Sequence, residues 1–285
     1  MTYKNIIIPG GGIYGIQLVG ILKNLKKYNI LKDIKSYLGT SAGSIICFLL
    51  IIGYTIDEIY IFLDKFNFNL ITNIKSKKNI FDKLNNNYGL NNTNNFKIIF
   101  NKFLINKNID KNITFKDLYE LIPIELTINI ACINTLEILF CNYKNTPDFK
   151  VVDIITISCS IPILFEPTLL NDTYYVDGGF YNSCPIIYYK EQLDETLIIR
   201  YKSNNIKINS IYDYFYYLIY FKINYFDNFN SKNTIFWYNI FNLTPIDFNI
   251  NNTQKKALFK EGEQIALTFI KNNFYYEYYK INNIN

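Results

Sequence analysis

The stretch LGTSAGS, at residues 38–44, places Ser41 in the pattern Gly39-x-Ser41-x-Gly43. This pattern is typical of a serine nucleophile that is held on a sharp turn between a strand and a helix. Residues 34–38 predict a short buried strand, and residues 42–54 are apolar on nearly every side, which predicts a buried helix. The amino end of that helix offers the Ala42 N–H and a positive dipole to a developing oxyanion. Ser44 lies one position outside the pattern and is expected on the helix surface.

The segments on either side of this turn alternate between strand and helix patterns. Strands are predicted at residues 5–8, 124–133, 136–141, 173–176 and 196–201, and helices at 14–28, 95–104, 151–160 and 253–270. Thr55 and Glu58 form a capping box for a further helix. This alternation predicts an α/β fold in which a mainly parallel sheet is layered between helices. The 285 residues are expected to form a single domain (1–285), with an aromatic-rich insertion or cap at 203–252 and a loop-rich region at 72–95.

The composition excludes several classes of function. The chain has no histidine, so no Ser-His-Asp triad can form. A net charge of +5 is too small to indicate nucleic-acid binding. The five cysteines are scattered without metal-ligand spacing, which indicates buried thiols in a reducing compartment rather than a metal site.

The distribution of apolar residues predicts a cytoplasmic, soluble protein. The amino terminus passes directly into a short strand and lacks a signal-peptide pattern. The most apolar run, residues 45–54, is about half as long as a membrane span. Contact with lipid is therefore expected to be peripheral. Lysines at 75, 77 and 78 form a small basic cluster, interpreted first as a solvated loop and second as a weak attraction to anionic lipids.

The glycine-rich segment PGGGIYG, at residues 9–15, lies between a predicted strand and a predicted helix. Backbone N–H groups converge on anions in such turns. Gly10, Gly12 and Gly15 also satisfy the dinucleotide fingerprint G-x-G-x-x-G. That fingerprint requires an acidic residue at the end of the next strand, where this chain has SYLGTS. A nucleotide-binding oxidoreductase is therefore a weak alternative.

Without histidine, the proton of Ser41 must pass to a carboxylate or a lysine. Asp177 follows a predicted strand in YYVDGG and is the preferred base, although Asp-Gly after a strand also indicates an ordinary hairpin turn. With a reference pKa of about 3.9, an aspartate is a weak base toward an alcohol. Partial burial and direct contact with the serine would offset that weakness.

These three motifs, in this order, resemble the patatin-like phospholipase family. The resemblance covers residues 5–44, ITFKDLYELI at 113–122, ISCSIPILFEP at 157–167 and DGGFYNSCPI at 177–186, so the best-matching core is 5–201. It implies a three-layer patatin-like fold and a Ser-Asp dyad in which Ser41 is the nucleophile and Asp177 the general base. It further implies oxyanion N–H groups from Gly10, Gly11 and Gly12.

The same resemblance implies a substrate and a reaction. The expected substrates are acyl esters of phospholipids or related lipids, cleaved through an acyl-enzyme with no metal or organic cofactor. Two positions depart from the family pattern. Tyr14 stands where many members have arginine or lysine, and Pro9 stands where a small or acidic residue is frequent and removes a backbone donor. The alternative is a catalytically weak, lipid- or membrane-binding member of the same fold.

Overall fold

The computed structural model of the protein describes residues 2–72, 80–202, 208, 214, 232–241 and 243–274. Its described strands form a central eight-stranded sheet and a small two-stranded sheet. The strands are β1 Asn5–Ile8, β2 Ser36–Gly39, β3 Gly89–Asn91, β4 Glu125–Cys132, β5 Glu137–Cys141, β6 Ile163–Phe165, β7 Thr168–Leu170, β8 Thr173–Asp177, β9 Thr196–Tyr201 and β10 Thr234–Trp237.

The central sheet has a parallel half and an antiparallel edge. Strands β10, β9, β1, β2 and β4 run parallel in that order, and β8 and β7 continue the sheet in antiparallel pairing. Strand β5 also pairs with β4 antiparallel, and β3 pairs with β6 in the small sheet. Because β4 extends four residues beyond Ile128, the register partner of Gly39, it rises past the carboxyl edge of its parallel neighbours.

Eight α-helices are described. They are α1 Gly15–Lys27, α2 Ala42–Ile51, α3 Ile56–Lys65, α4 Ile80–Asn87, α5 Asn94–Asn106, α6 Phe115–Leu121, α7 Val151–Ser158 and α8 Asn252–Asn273. Short 3-10 helices lie at Gly12–Tyr14, Phe68–Leu70, Gly178–Phe180 and Ile186–Glu195. Among these described helices, none combines the length and the apolar character that crossing a bilayer requires.

The strands bury both of their faces, as expected for a parallel sheet between helices. Successive side chains of β1 point to opposite faces: Ile6 and Ile8 join the larger core with the side chains of α1 and α2, whereas Ile7 joins a smaller core. That smaller core is closed by Ile186 and Tyr189 of the 3-10 helix Ile186–Glu195. The sheet is therefore the middle layer of three.

Most predicted elements lie within a few residues of the observed ones. The strand predicted at 196–201 has the same bounds as β9, and Thr55 and Glu58 form the predicted capping box of α3. The prediction of a loop-rich region at 72–95 is wrong in part, because α4 and β3 lie there. Residues 73–79 of that region, with the lysines at 75, 77 and 78, lie outside the described residues. The five cysteines are buried and free, as predicted.

The predicted insertion or cap at 203–252 falls largely outside the described residues, which omit 203–207, 209–213 and 215–231. Its described carboxyl part contains β10, which pairs with β9 at the edge of the central sheet. This part of the segment therefore belongs to the sheet. The single-domain organisation and the insertion itself remain predictions.

Helices α1 and α8 pack at unusually short range. The Gly262 backbone of α8 is so close to α1 that an added Cβ would lie 2.0 Å from the Gln17 carbonyl oxygen. Only a residue without a side chain permits this approach. Because α1 begins directly after the glycine-rich loop, the packing of α8 on α1 also helps to fix the position of that loop.

We expect the substitution Gly262→Ala to destabilise the fold, although alanine is the better helix former by about 1 kcal/mol. Forcing the two backbones apart should cost about 1–3 kcal/mol. This cost exceeds the gain in helix propensity, so the net effect on the free energy of unfolding is destabilising. Urea unfolding followed by circular dichroism measures the difference. Lys260→Ala, at an exposed position of α8, is the control and should change stability by less than about 0.5 kcal/mol. A more stable Gly262→Ala variant would contradict the described packing.

Candidate active site

The turn between β2 and α2 holds Ser41 in a strained conformation. Its backbone has φ 49° and ψ −121°, a combination that residues with a side chain rarely adopt. The turn brings α2 so close to β1 that a Cβ on Gly43 would lie 2.0 Å from the Ile8 carbonyl oxygen. This is the geometry of a nucleophile elbow. Ser44 is buried and its Oγ donates to the Ser41 carbonyl at 2.6 Å, so its predicted place on the helix surface is wrong.

Asp177 is the last residue of β8 and lies next to the same edge of the sheet. Its backbone is fixed by antiparallel pairing with Ile130 of β4 and by an N–H bond of 3.0 Å to the Ser160 carbonyl. The side chain belongs to a residue that is only 3% exposed, and its Oδ1 accepts the Gly179 N–H at 2.7 Å. The turn that follows thus orients the carboxylate with a backbone donor.

Burial raises the pKa of Asp177 to about 7, from an ordinary value of 3.8. A side-chain hydrogen bond from Ser41 and the backbone bond from Gly179 act in the opposite direction, since both stabilise the charged form. The structure therefore brings Ser41 and Asp177 together. A carboxylate with this pKa is a far stronger base than an exposed aspartate.

The backbone donors around Ser41 fall into two groups. The Gly10 N–H donates to the Ser183 carbonyl at 3.0 Å, so this predicted oxyanion donor is already occupied. The N–H groups of Gly11, Gly12 and Ala42 bond to no acceptor among the described residues. They remain the predicted donors that are available to an oxyanion.

The glycine-rich loop is braced by residues that follow β10. The Pro245 carbonyl accepts the Ile13 N–H at 3.0 Å, and the Trp237 ring lies against Gly11. Tyr14 is buried, and its ring packs against Trp237 in a tilted arrangement with ring centroids 5.2 Å apart. Its hydroxyl donates to Asn239 and to the Leu243 carbonyl. The side chain that stands in place of the family's basic residue therefore serves to hold this segment on the loop.

Three buried hydroxyl and amide groups near the site were not predicted from the sequence. They belong to Thr40, Asn129 and Ser158, which hydrogen-bond to one another or to Ser41. A signal for Asn129 does exist, because it is an amide between Ile128 and Ile130 in the middle of the strand ELTINIAC. No comparable signal marks Ser158, whose contacts are distant in sequence.

Within the described part of the chain, no group of three or more Cys, Asp or Glu side chains is arranged to hold a metal ion. Cys159 is buried beside the site, and this burial, with the nearby charge of Asp177, raises the pKa of its thiol well above the ordinary value. A thiol of this kind is a poor nucleophile. Cys159 is therefore a poor candidate for a nucleophile at this site.

A family model of patatin-like phospholipases matches residues 6–188. The chain belongs to the patatin-like phospholipase family. A probable lipid hydrolase of Invertebrate iridescent virus 6 is 38% identical over 188 residues, which cover 65% of this chain and 62% of that relative. An uncharacterised protein of Acanthamoeba polyphaga mimivirus is 30% identical over 222 residues, which cover 74% of this chain and 73% of the relative. The match thus spans less than two thirds of the iridescent virus protein.

Solved structures share the patatin-like fold. VipD from Legionella pneumophila is similar with a TM-score of 0.67 at 15% identity, over 95% of this chain and 67% of VipD. The type III effector ExoU of Pseudomonas aeruginosa gives a TM-score of 0.56 at 15% identity, over 95% of this chain and 53% of ExoU. At such low identity the likeness concerns the fold alone. The predicted α/β fold, a mainly parallel sheet between helices, is confirmed.

The raised pKa of Asp177 predicts how stability depends on pH in this patatin-like chain. A carboxyl group whose folded pKa exceeds its unfolded value, about 3.9, contributes stability below that value and loses it as pH rises through the folded pKa. Asp177→Asn removes the titration. We expect the stability of the variant relative to the wild type to rise by on the order of 2–4 kcal/mol between about pH 4 and pH 8.

Chemical denaturation at a series of pH values measures this difference. Asp172→Asn is the control, since it removes an exposed carboxylate beyond the start of the same strand. It should not reproduce the trend. A difference between wild type and Asp177→Asn that stays constant with pH would show that the Asp177 carboxyl is not desolvated.

Proposed function

We propose that this chain is a serine acyl hydrolase that cleaves fatty-acyl esters of phospholipids or related lipids. One observation carries the proposal: a strained, nearly buried serine lies against a buried carboxyl group whose pKa is raised to about 7, in a chain without histidine. Family membership supports it, and so does the name of the related viral lipid hydrolase. Phospholipase A and lysophospholipase activities are the two reaction types we expect.

In the proposed reaction, the Asp177 carboxylate accepts the Ser41 proton while Oγ attacks the ester carbonyl carbon. The N–H groups of Gly11, Gly12 and Ala42 stabilise the resulting oxyanion, assisted by the amino end of α2. Collapse of the tetrahedral intermediate breaks the ester C–O bond, and Asp177 returns its proton to the leaving alcohol. A water molecule, deprotonated by Asp177, then attacks the acyl carbon; the bond to Ser41 Oγ breaks, Asp177 returns the proton to Oγ, and the fatty acid leaves. Every group in this scheme comes from the chain, the lipid or water.

Exposed apolar side chains near the site support action at a lipid surface. The residues Phe81, Tyr88, Ile163 and Leu169, here called the apolar rim, are each more than half exposed. Ile163 pairs with Gly89, next to Tyr88, and Leu169 pairs with Tyr174, whose ring contacts Tyr88. Phe81 lies on α4, the helix that leads into β3. These residues gather where β4 and β8 rise past the carboxyl edge of the sheet, the edge that carries Ser41. We propose that this rim meets the lipid phase peripherally.

The free, buried cysteines fit the reducing conditions of the cytoplasm, which we propose as the compartment of the protein. These thiols form no disulfide bonds, the cross-links that proteins of oxidising compartments commonly use for stability. Fractionation of cells that express the chain, with separate soluble and membrane pools, would show whether it is cytoplasmic and peripheral.

Ser41→Ala and Asp177→Asn should each abolish hydrolysis of a chromogenic acyl ester and release of fatty acid from phospholipid vesicles. Rates should fall at least about a thousandfold, since nucleophile and base act as one unit. Wild-type activity should rise with pH through about 7, as Asp177 loses its proton. A fluorophosphonate probe, located by mass spectrometry, should label the wild type at Ser41.

The serine adjacent to the motif provides the matched control. Ser44→Ala removes a buried hydroxyl of α2 that donates to the Ser41 carbonyl, so it should lower activity far less than Ser41→Ala does. Full activity in Ser41→Ala or in Asp177→Asn would reject the dyad. Vesicle binding without hydrolysis of any ester would instead favour the catalytically weak, lipid-binding alternative.

Ile163→Ser and Phe81→Ser should weaken binding to phosphatidylcholine vesicles by about three- to tenfold, because each removes apolar area that leaves water on docking. Vesicle flotation in the Ser41→Ala background separates binding from turnover. Leu121→Ser is the matched control, since Leu121 is as exposed but is the last residue of α6, which precedes the amino end of β4 and so lies toward the opposite edge of the sheet. Equal losses in all three variants would reject the rim as the docking face.

A further inference from the structure

Asn129 is a buried amide in β4 between the two loops that carry Ser41 and Asp177. It is fully excluded from solvent. Its neighbours in the strand connect it to both loops: Ile128 pairs with Gly39 at the end of β2, and Ile130 pairs with Asp177 at the end of β8. The proposed reaction assigns no step to this side chain, yet a buried amide is costly unless its hydrogen bonds are made.

The side chain of Asn129 binds one group from each loop. Its Oδ1 accepts the Thr40 hydroxyl at 2.6 Å, and its Nδ2 donates to the Asn182 carbonyl at 3.1 Å. Thr40 immediately precedes Ser41, and Asn182 lies in the turn that follows Asp177. A single planar amide therefore spans the distance between the nucleophile loop and the base loop.

The backbone of Asn129 makes a second connection to the nucleophile. Its carbonyl accepts the Ser158 hydroxyl at 3.0 Å, and the Ser158 oxygen in turn accepts the Ser41 N–H at 2.9 Å. This bond holds the backbone of the residue whose φ is positive. Strained residues keep such a conformation only when surrounding contacts fix it.

We infer that Asn129 is a positioning residue that sets the separation of the Ser41 hydroxyl and the Asp177 carboxylate, acting through Thr40, Ser158 and Asn182. The inference rests on the proposed function. Proton transfer requires the two side chains within hydrogen-bonding distance, and a misplacement of about 1 Å costs about a hundredfold in rate. Loss of the amide would leave the Thr40 hydroxyl and the Asn182 carbonyl without their partner, and the two loops free to separate.

The test compares Asn129→Ala, Thr40→Val and Ser158→Ala with the wild type on a soluble chromogenic ester. We expect kcat to fall about 10- to 100-fold with KM changed less than about threefold, because the variants alter alignment rather than substrate contacts. The second-order rate of fluorophosphonate labelling at Ser41 should fall in parallel. Thr40→Ser keeps the hydroxyl and should restore most of the activity that Thr40→Val loses.

Asn142→Ala is the matched control for the loss of a buried asparagine. Asn142 is also fully buried and donates to Thr127 and Tyr188, but it touches neither loop. It should lower the melting temperature as Asn129→Ala does while leaving kcat and the labelling rate near their wild-type values. Equal losses of kcat in both asparagine variants would reduce Asn129 to a structural role and overturn the inference.

The outcomes separate this inference from the proposed function. An active wild type whose Thr40→Val and Asn129→Ala variants keep full kcat would overturn the positioning role alone. A wild type that neither hydrolyses esters nor labels at Ser41 would overturn both. If Asn129→Ala does not fold, the pair Thr40→Val and Thr40→Ser decides the question, because Thr40→Val removes the hydroxyl at nearly constant volume and Thr40→Ser keeps the hydroxyl while losing only a methyl group.

Discussion

The close approach of α2 to β1 is the constraint on which the site depends. For a helix to start directly at the edge of a parallel sheet, the chain must turn within one or two residues. Gly43 has no side chain, so the backbone of α2 can approach the Ile8 carbonyl closely. The turn forces Ser41 into a positive φ and leaves it at the sheet edge, although α2 itself is buried. The same turn places the Ala42 N–H, which bonds to no acceptor among the described residues, next to Ser41. The proposed nucleophile and one proposed oxyanion donor therefore follow from one backbone geometry.

Under the proposed function, Asp177 takes the place that an imidazole has in histidine-dependent hydrolases, and burial adjusts its pKa for that role. Desolvation moves the carboxyl pKa to about 7, where a base is most useful at neutral pH. That shift opposes folding above pH 7, because the charged form is the one that the fold disfavours. The backbone bond from Gly179 limits the cost by stabilising the carboxylate, and the extensive apolar core supplies the remaining stability. Aspartate is an ordinary residue type, and its buried environment is what raises its pKa into the range that the proposed base requires.

Short sequence patterns predicted the strand ends and turns. They did not predict contacts between residues that are far apart in the sequence. Ser41 and Asp177 each lie at the end of a strand that the spacing of apolar residues and the following glycines predict. The predicted bounds of β9 are the observed ones. Helix α4 was missed because asparagines fill its polar side and resemble a loop. Strand β10 was not predicted because it is defined by its pairing with β9, and the residues around β10 carry no pattern that indicates this pairing. The bond from the Gly10 N–H to the Ser183 carbonyl joins segments far apart in the chain, so it changed the predicted set of oxyanion donors.

Tyr14 shows how one substitution redistributes the charge of a site. A basic residue, frequent at this position in the family, would bring a cation to the glycine-rich loop. Tyr14 instead packs its buried ring against Trp237, and its hydroxyl hydrogen-bonds to Asn239 and Leu243. These contacts hold the segment after β10 against the loop. A lysine or arginine there would lose these contacts and bury its charge. The positive potential opposite Ser41 must then come from backbone N–H groups and the α2 dipole, whose strength depends on how rigidly the loop is held. Under the proposed function, the segment after β10 thus supports oxyanion stabilisation by holding the glycine-rich loop in place, without a basic residue at position 14.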